Sequence, residues 1–335
     1  MRIFLYSIFI LLLLCSYSSA LDYGVTVFGT DLLTKEDLIQ NFSKELEELR
    51  SLYDSDRETY NEKKDKLSDI LQTNNKFAYT NIRLFKSYSD EYDFIIDVVE
   101  SIDVNKRLNY RQFEPKQLED PNGLIAKWIE YENLSYELFA KGEISDYSCP
   151  VIHCLWSFNH PKLEPYLDFF NTNAKKYKEQ LINILYSSDS TSYRASAAFL
   201  LAHAELSNEE LLHTLLPAIK DPKSSVRNSS MRVIYYIVRK YPELQFDISE
   251  VINALDFPSF TDRNKALVIL RSISLADVQS DELLRLAEIL IEILEKKDAH
   301  NYKNAYTVIK KLSSKEFAID DIESWKKWRD TYHKI

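Results

Sequence analysis

Between Leu181 and Leu312 apolar residues recur three and four apart, in blocks that break each time at an aspartate and a polar turn. Leu181-Ile182-Asn183-Ile184-Leu185 leads to Asp189, and Leu215-Leu216-Pro217-Ala218-Ile219 leads to Asp221. Val251-Ile252-Asn253-Ala254-Leu255 leads to Asp256, and the run over 289–294 leads to Asp298. After each turn the helical period resumes with a basic residue near its start: Arg194, Arg227, Arg263 and Lys303, the last three followed by Asn228, Asn264 and Asn304. The intervals fall within the roughly 33 to 47 residues of repeats built from two helices. One such helix cannot bury its apolar stripe alone, so neighbours must stack.

The chain before these blocks has helical signals without a repeat. Thr34 followed by Glu36 and Asp37 predicts a capped helix start. A heptad-like seam follows through Phe42, Leu46, Leu49, Tyr53, Tyr60, Leu67 and Ile70, but Asp56 and Lys63 interrupt it, which favours a helical hairpin over a long coiled coil. Phe77, Tyr79, Ile82, Phe85, Tyr88, Tyr92, Ile95 and Val99 also fit helical spacing, so 76–102 is expected to be a second amphipathic helix. Gln112 to Asn122 is a loop, and Ala126 to Ala140 a helix stopped by Lys141-Gly142. Near the end, Trp325 and Trp328 share one helical face, where they can close the open end of a stack.

Composition supports helices. Four glycines in 335 residues leave few positions for Gly-rich phosphate loops or tight hairpins. Arg2, the apolar run from Ile3 to Leu14 and the small residues Ser18-Ser19-Ala20 have the form of a cleaved signal segment, too short to span a bilayer. Cys15 offers a lipid-attachment alternative, for which the preceding Leu14 is a poor fit. Losing the segment removes Arg2 and makes the formal charge of −10 one unit more negative, which argues against a nucleic-acid role. The expected division is a signal segment over 1–20, a helical lead-in over 21–145, two-helix repeats over 146–315 and a capping helix over 316–335, all-α throughout. The protein is expected to be exported, periplasmic or secreted, with no stable membrane span after cleavage, and monomeric.

The stretch "LLPAIKDPKSSVRNSSMRVIYYIVRKY" resembles the HEAT-repeat family. Pro217 would be that family's first-helix proline, Asp221 its turn aspartate, and Val226-Arg227 the pair opening its second helix. The likeness covers roughly residues 150 to 315 and implies an α-solenoid. The closing "ESWKKW" resembles a tail seen after such repeats in exported bacterial proteins. Asp262-Arg263, with a polar residue in place of valine, departs from the pattern.

Physical chemistry assigns Asp221, Arg227 and Arg263 to a structural ladder: aspartates accept from helix-start N–H groups while arginine forks reach a neighbouring repeat's aspartate. Asn228, Arg232, Tyr235 and Arg239, with Asn264 and Arg271 on the next helix, should line the solvent side of the inner helices. That row is basic and aromatic in an acidic chain, which suits an acidic partner protein. Cys149 and Cys154 are candidates for a disulfide, to which a helix starting at Pro150 would object, since it would hold them roughly 8 to 9 Å apart at Cα. Zinc held with His153 and His160 is the alternative there. No HExxH, GxSxG, Walker loop or Rossmann glycine set occurs, and no catalytic, cofactor or metal residue is assigned. Three functions stay open: a non-enzymatic scaffold that binds protein on its concave face, a periplasmic neutraliser of a toxin, and a HEAT-like enzyme acting in the groove.

Overall fold

Tyr23–Phe28 (β1), Tyr79–Lys86 (β2) and Tyr92–Val99 (β3) form a three-stranded sheet in the order β1-β3-β2, parallel between β1 and β3 and antiparallel between β2 and β3. The computed structural model describes residues 23–87, 91–275, 280–298 and 300–331; the expected signal segment and Cys15 lie outside them. The protein is otherwise mostly helical, so the all-α expectation is corrected by this sheet. The error lies in 76–102. Its aromatic and branched residues satisfy helical spacing, but Thr80, Ile82 and Leu84 are buried with less buried neighbours between them, the period of a strand. β3 is buried on both faces, and a central strand of that kind shows no alternation to find.

Helices Lys35–Leu52 (α1) and Arg57–Asn75 (α2) cover one face of the sheet through Leu38, Leu46, Leu67 and Leu71, packed on Val25, Ile82, Phe94 and Ile96. Thr34 and Asp37 form a reciprocal capping box at the start of α1, and Asp56, a residue that interrupts the heptad seam, is the N-cap of α2. The opposite face of β3, including Ile95, Asp97 and Val99, is also fully buried.

Beyond a short helix Val104–Arg107 (α3) and Leu124–Ala140 (α4), ten α-helices follow among the described residues: Glu164–Lys176 (α5), Lys178–Ser187 (α6), Thr191–Leu200 (α7), Asn208–Leu215 (α8), Ser224–Lys240 (α9), Ser249–Asp256 (α10), Phe260–Ser272 (α11), Ser280–Glu295 (α12), Tyr302–Ser313 (α13) and Ile322–Arg329 (α14). Helices α7, α9, α11 and α13 pack in that order, and α6, α8, α10 and α12 each pack on the one that follows. α14 lies on α12, with Trp325 fully buried against Phe317, Tyr306 and Trp328 and its Nε1 donating to the Ala318 carbonyl at 2.9 Å.

No helix begins at Pro150. The 145–163 stretch is irregular, which removes the objection to a disulfide: Cys149 and Cys154 are bonded, with 5.7 Å between Cα atoms. The bridge closes a loop separated by 5 residues, beside the buried His153. Loop-closure entropy for so short a ring is worth about 2 kcal/mol. Reduction, or Cys149→Ser with Cys154→Ser, should lower the unfolding free energy by about that amount, read from urea unfolding as a fall in the midpoint. An unchanged midpoint would show that the loop is held by Phe158 and Trp156 alone.

Candidate functional site

Three buried arginines sit at the fourth position of α7, α9 and α11, and each uses the same pair of contacts. Arg194 reaches the Asp221 carboxylate at 2.9 and 3.0 Å, Arg227 reaches Asp262 at 2.8 and 2.6 Å, and Arg263 reaches Asp298 at 3.3 Å. Each also donates to the carbonyl six residues earlier: Ser188 at 2.7 Å, Asp221 at 2.7 Å and Phe257 at 3.5 Å. The side chain thus ties its own turn to the next. Asp221 and Asp298 further accept from the N–H groups of Lys223 and His300, at 2.9 and 3.2 Å. Of the other turn aspartates, Asp189 is exposed and Asp256 pairs with Arg285 and Lys106, and the acceptor for Arg227 is Asp262, the residue just before Arg263. Lys303 does not continue the row: it is exposed, and Ala305 holds the fourth position of α13.

The segment from β3 to Lys116 runs along this row in reverse order. Asp97 meets Arg263 at 2.6 Å, Arg107 donates to the Asp256 carbonyl at 2.9 Å, Arg111 meets Asp221 at 2.7 Å, and Lys116 pairs with the backbone at Ser187 and Asp189. Phe28, Tyr110 and Phe113 place rings 4.0, 4.8 and 4.8 Å from the guanidinium carbons of Arg263, Arg227 and Arg194. Gly29, at φ +91°, sits where the Arg107 guanidinium occupies the space of a Cβ, so no other residue fits there. None of these partners is legible from the sequence, since 166 positions separate Asp97 from Arg263.

Docked in this way, the outward face of β2 and the start of α2 stand opposite the first turns of α9 and α11, and a cleft of about 830 Å³ opens between them. Arg57, Tyr60, Asn81 and Arg83 line one wall, and Lys223, Ser224, Ser225, Ser259 and Thr261 the other. Arg57 and Arg83 are exposed, and Arg57 stands 4.8 and 4.9 Å from the rings of Tyr53 and Tyr60. The helix starts add N–H groups and the positive end of the backbone dipole. Deeper in lie Asn228, Arg232, Glu132, Leu155 and Phe199. Asn228 accepts from Arg232 Nε at 2.9 Å. Glu132 comes from α4, outside the repeating blocks, and burial raises its pKa. Burial, then the nearby Arg232, lowers the pKa of Lys265 on α11 to about 8 and that of His153 to about 3.

The row expected to bind a partner is therefore divided. Asn228 and Arg232 line the cleft, whereas Tyr235, Arg239, Asn264 and Arg271 do not. Arg239 donates to the Tyr235 hydroxyl at 3.3 Å, Asn264 accepts from Lys265 at 3.1 Å, and Arg271 donates to Asn304 at 2.6 Å. Arg57, Arg83 and Lys223 escaped the sequence reading because the first two belong to the lead-in and only the docked sheet brings them opposite α9. Cys149, His153, Cys154 and His160 do not form a zinc site, since both thiols are in the disulfide. Among the described residues no cluster of side chains suits a metal ion, and no helix is long and apolar enough to cross a membrane. No protein-family model matches the chain, and neither a curated protein nor a solved structure matches it.

Proposed function

We propose that this is an exported, monomeric, non-enzymatic binding protein whose HEAT-like α-solenoid and docked α/β lead-in grip an acidic segment of a partner protein in the cleft between them. The observation that carries this reading is the concentration of Arg57, Arg83, Lys223 and Arg232 around one cleft in a chain with a formal charge of −10. A cationic cleft in an acidic protein focuses its field on anionic ligands and repels the bulk of other surfaces. Exposed Arg57 on tyrosine rings and the serine-rich start of α9 supply directed hydrogen bonds as well as charge. The HEAT-like reading rests on the Asp and Arg pattern over 181–313 and the recurring turn contacts, and export rests on the sequence of 1–20.

A fluorescein-labelled hexaglutamate peptide should bind measurably by anisotropy, with hexaglutamine and hexalysine as controls. Binding should weaken with added salt, and Arg57→Ala with Arg83→Ala should weaken it about tenfold, since each exposed charge contributes up to about 1 kcal/mol. Equal binding of hexaglutamate and hexaglutamine would end the proposal.

A further inference from the structure

Part of the wall at the inner end of the cleft does not belong to a helix. Leu155 lines the cleft together with Phe199, and it follows directly on Cys154, one end of the disulfide. The stretch 144–159 around it makes no backbone-to-backbone hydrogen bond to any described residue, so side chains and the bridge alone position it. After Leu155, Trp156 stacks on Phe139 with 3.7 Å between ring centres, and Phe158 stacks on Tyr131 at 4.6 Å. Before it, the ring of His153 stacks on Phe199 at 4.9 Å and meets Tyr236 at 5.1 Å. His153 makes no hydrogen bond among the described residues, and its Nδ1 is buried without a partner. A buried polar group left unsatisfied in this way gains by returning to water. The bond between Cys149 and Cys154 closes the chain around His153, and so keeps its ring on Phe199 and Leu155 in the wall.

Resting on the acidic-segment reading above, we propose that this disulfide is a redox gate on the cleft. With the bridge closed, Leu155 and Phe199 complete the inner end and the acidic segment binds; with it open, the wall loosens and binding weakens. The gate has a point of attack. Cys149 is half-buried whereas Cys154 is buried, so a dithiol reaches the Cys149 sulfur first. The attacking thiolate bonds to Cys149 Sγ and expels Cys154 as a thiolate, which takes up a proton. The second thiol of the reagent, losing its own proton, then attacks the reagent sulfur of the mixed disulfide and expels Cys149. Two electrons thus pass from the dithiol to the bridge, and the dithiol leaves as a cyclic disulfide. Such bridges persist in oxidising compartments, so the cleft is complete after export and open while the chain is in a reducing one. The coupling is reciprocal: a closed bridge that tightens binding is itself protected from reduction by a bound segment, by the same factor.

The test uses the full protein and labelled hexaglutamate, well below the unfolding transition. Dithiothreitol should weaken binding about tenfold, the cost of ordering the freed side chains again on binding. Cys149→Ser with Cys154→Ser should bind as the reduced protein does and ignore the reductant. Saturating hexaglutamate should shift the thiol–disulfide equilibrium in a dithiothreitol buffer toward the bridge by the same factor, a measurement on the wild type alone that serves even if the serine variant folds poorly. Equal or tighter binding by the reduced protein, or a thiol equilibrium indifferent to hexaglutamate, would overturn the gate and leave the acidic-segment reading standing. Weaker binding accompanied by a loss of far-ultraviolet ellipticity would also overturn it, since unfolding and not a local wall would then be the cause. Failure of the oxidised protein to prefer hexaglutamate over hexaglutamine overturns the acidic-segment reading, and the gate with it.

Discussion

Asp221→Ala should destabilise the protein by about 3 to 5 kcal/mol, the cost of stranding a buried charge by removing its partner. A turn aspartate that only accepts from the next helix start would contribute no more than about 0.5 to 2 kcal/mol as a cap. Asp221 has that role, through the Lys223 N–H, but it is also fully buried and holds two guanidiniums, Arg194 bidentately and Arg111 at 2.7 Å. Alanine would leave Arg194 with only the Ser188 and Asp189 carbonyls, and Arg111 with those of Leu185 and Tyr186. Urea unfolding followed by circular dichroism should show the midpoint fall with the slope preserved. Asp221→Asn keeps an acceptor for Lys223 and should fall between wild type and alanine. A loss under about 2 kcal/mol for alanine would mean that the cap is the whole contribution.

The size of that effect depends on what sequence shows and what it hides. The capped start at Thr34 was legible because a capping box is local, all of it within four residues. The alternating helices from α6 onward were legible because each apolar stripe repeats with its turn aspartate and basic residue. Asp221, Arg227 and Arg263 stood out for the same reason, as recurring residues next to turns. The sheet did not. β3 carries apolar residues on both faces, and the aromatic residues of β2 happen to fit a helical spacing too.

Long-range charge partners were harder still. Asp97, Arg107 and Arg111 look like ordinary surface residues of a lead-in until β3 is seen lying against the helices, and nothing near them in sequence marks them as buried. The cleft has the same origin, because one wall belongs to α2 and β2 and the other to α9 and α11. Sequence placed Asn228 and Arg232 on an inner face but had no means of naming Glu132, Arg57 or Arg83 as their neighbours.

Arg263→Met is the second large effect, and it has a pH signature. Arg263 is fully buried between Asp97 at 2.6 Å and Asp298 at 3.3 Å, under the ring of Phe28. Methionine fills much of the volume but leaves the Asp97 carboxylate without its partner, so about 3 to 5 kcal/mol should be lost at neutral pH. Even beside the arginine, burial raises the Asp97 pKa above its ordinary value, and removing the cation should raise it further. A carboxyl whose folded-state pKa lies above the unfolded one binds more protons when folded, so its stability contribution is lost as pH rises through the folded value. The deficit of Arg263→Met relative to wild type should therefore shrink on going from about pH 7.5 to about pH 5. Adding Asp97→Asn, which cannot ionise, should recover part of the neutral-pH loss and flatten that dependence. A deficit that stays constant with pH and does not respond to Asp97→Asn would mean that the packing of Arg263 on Phe28, and not its charge, joins the sheet to the helices.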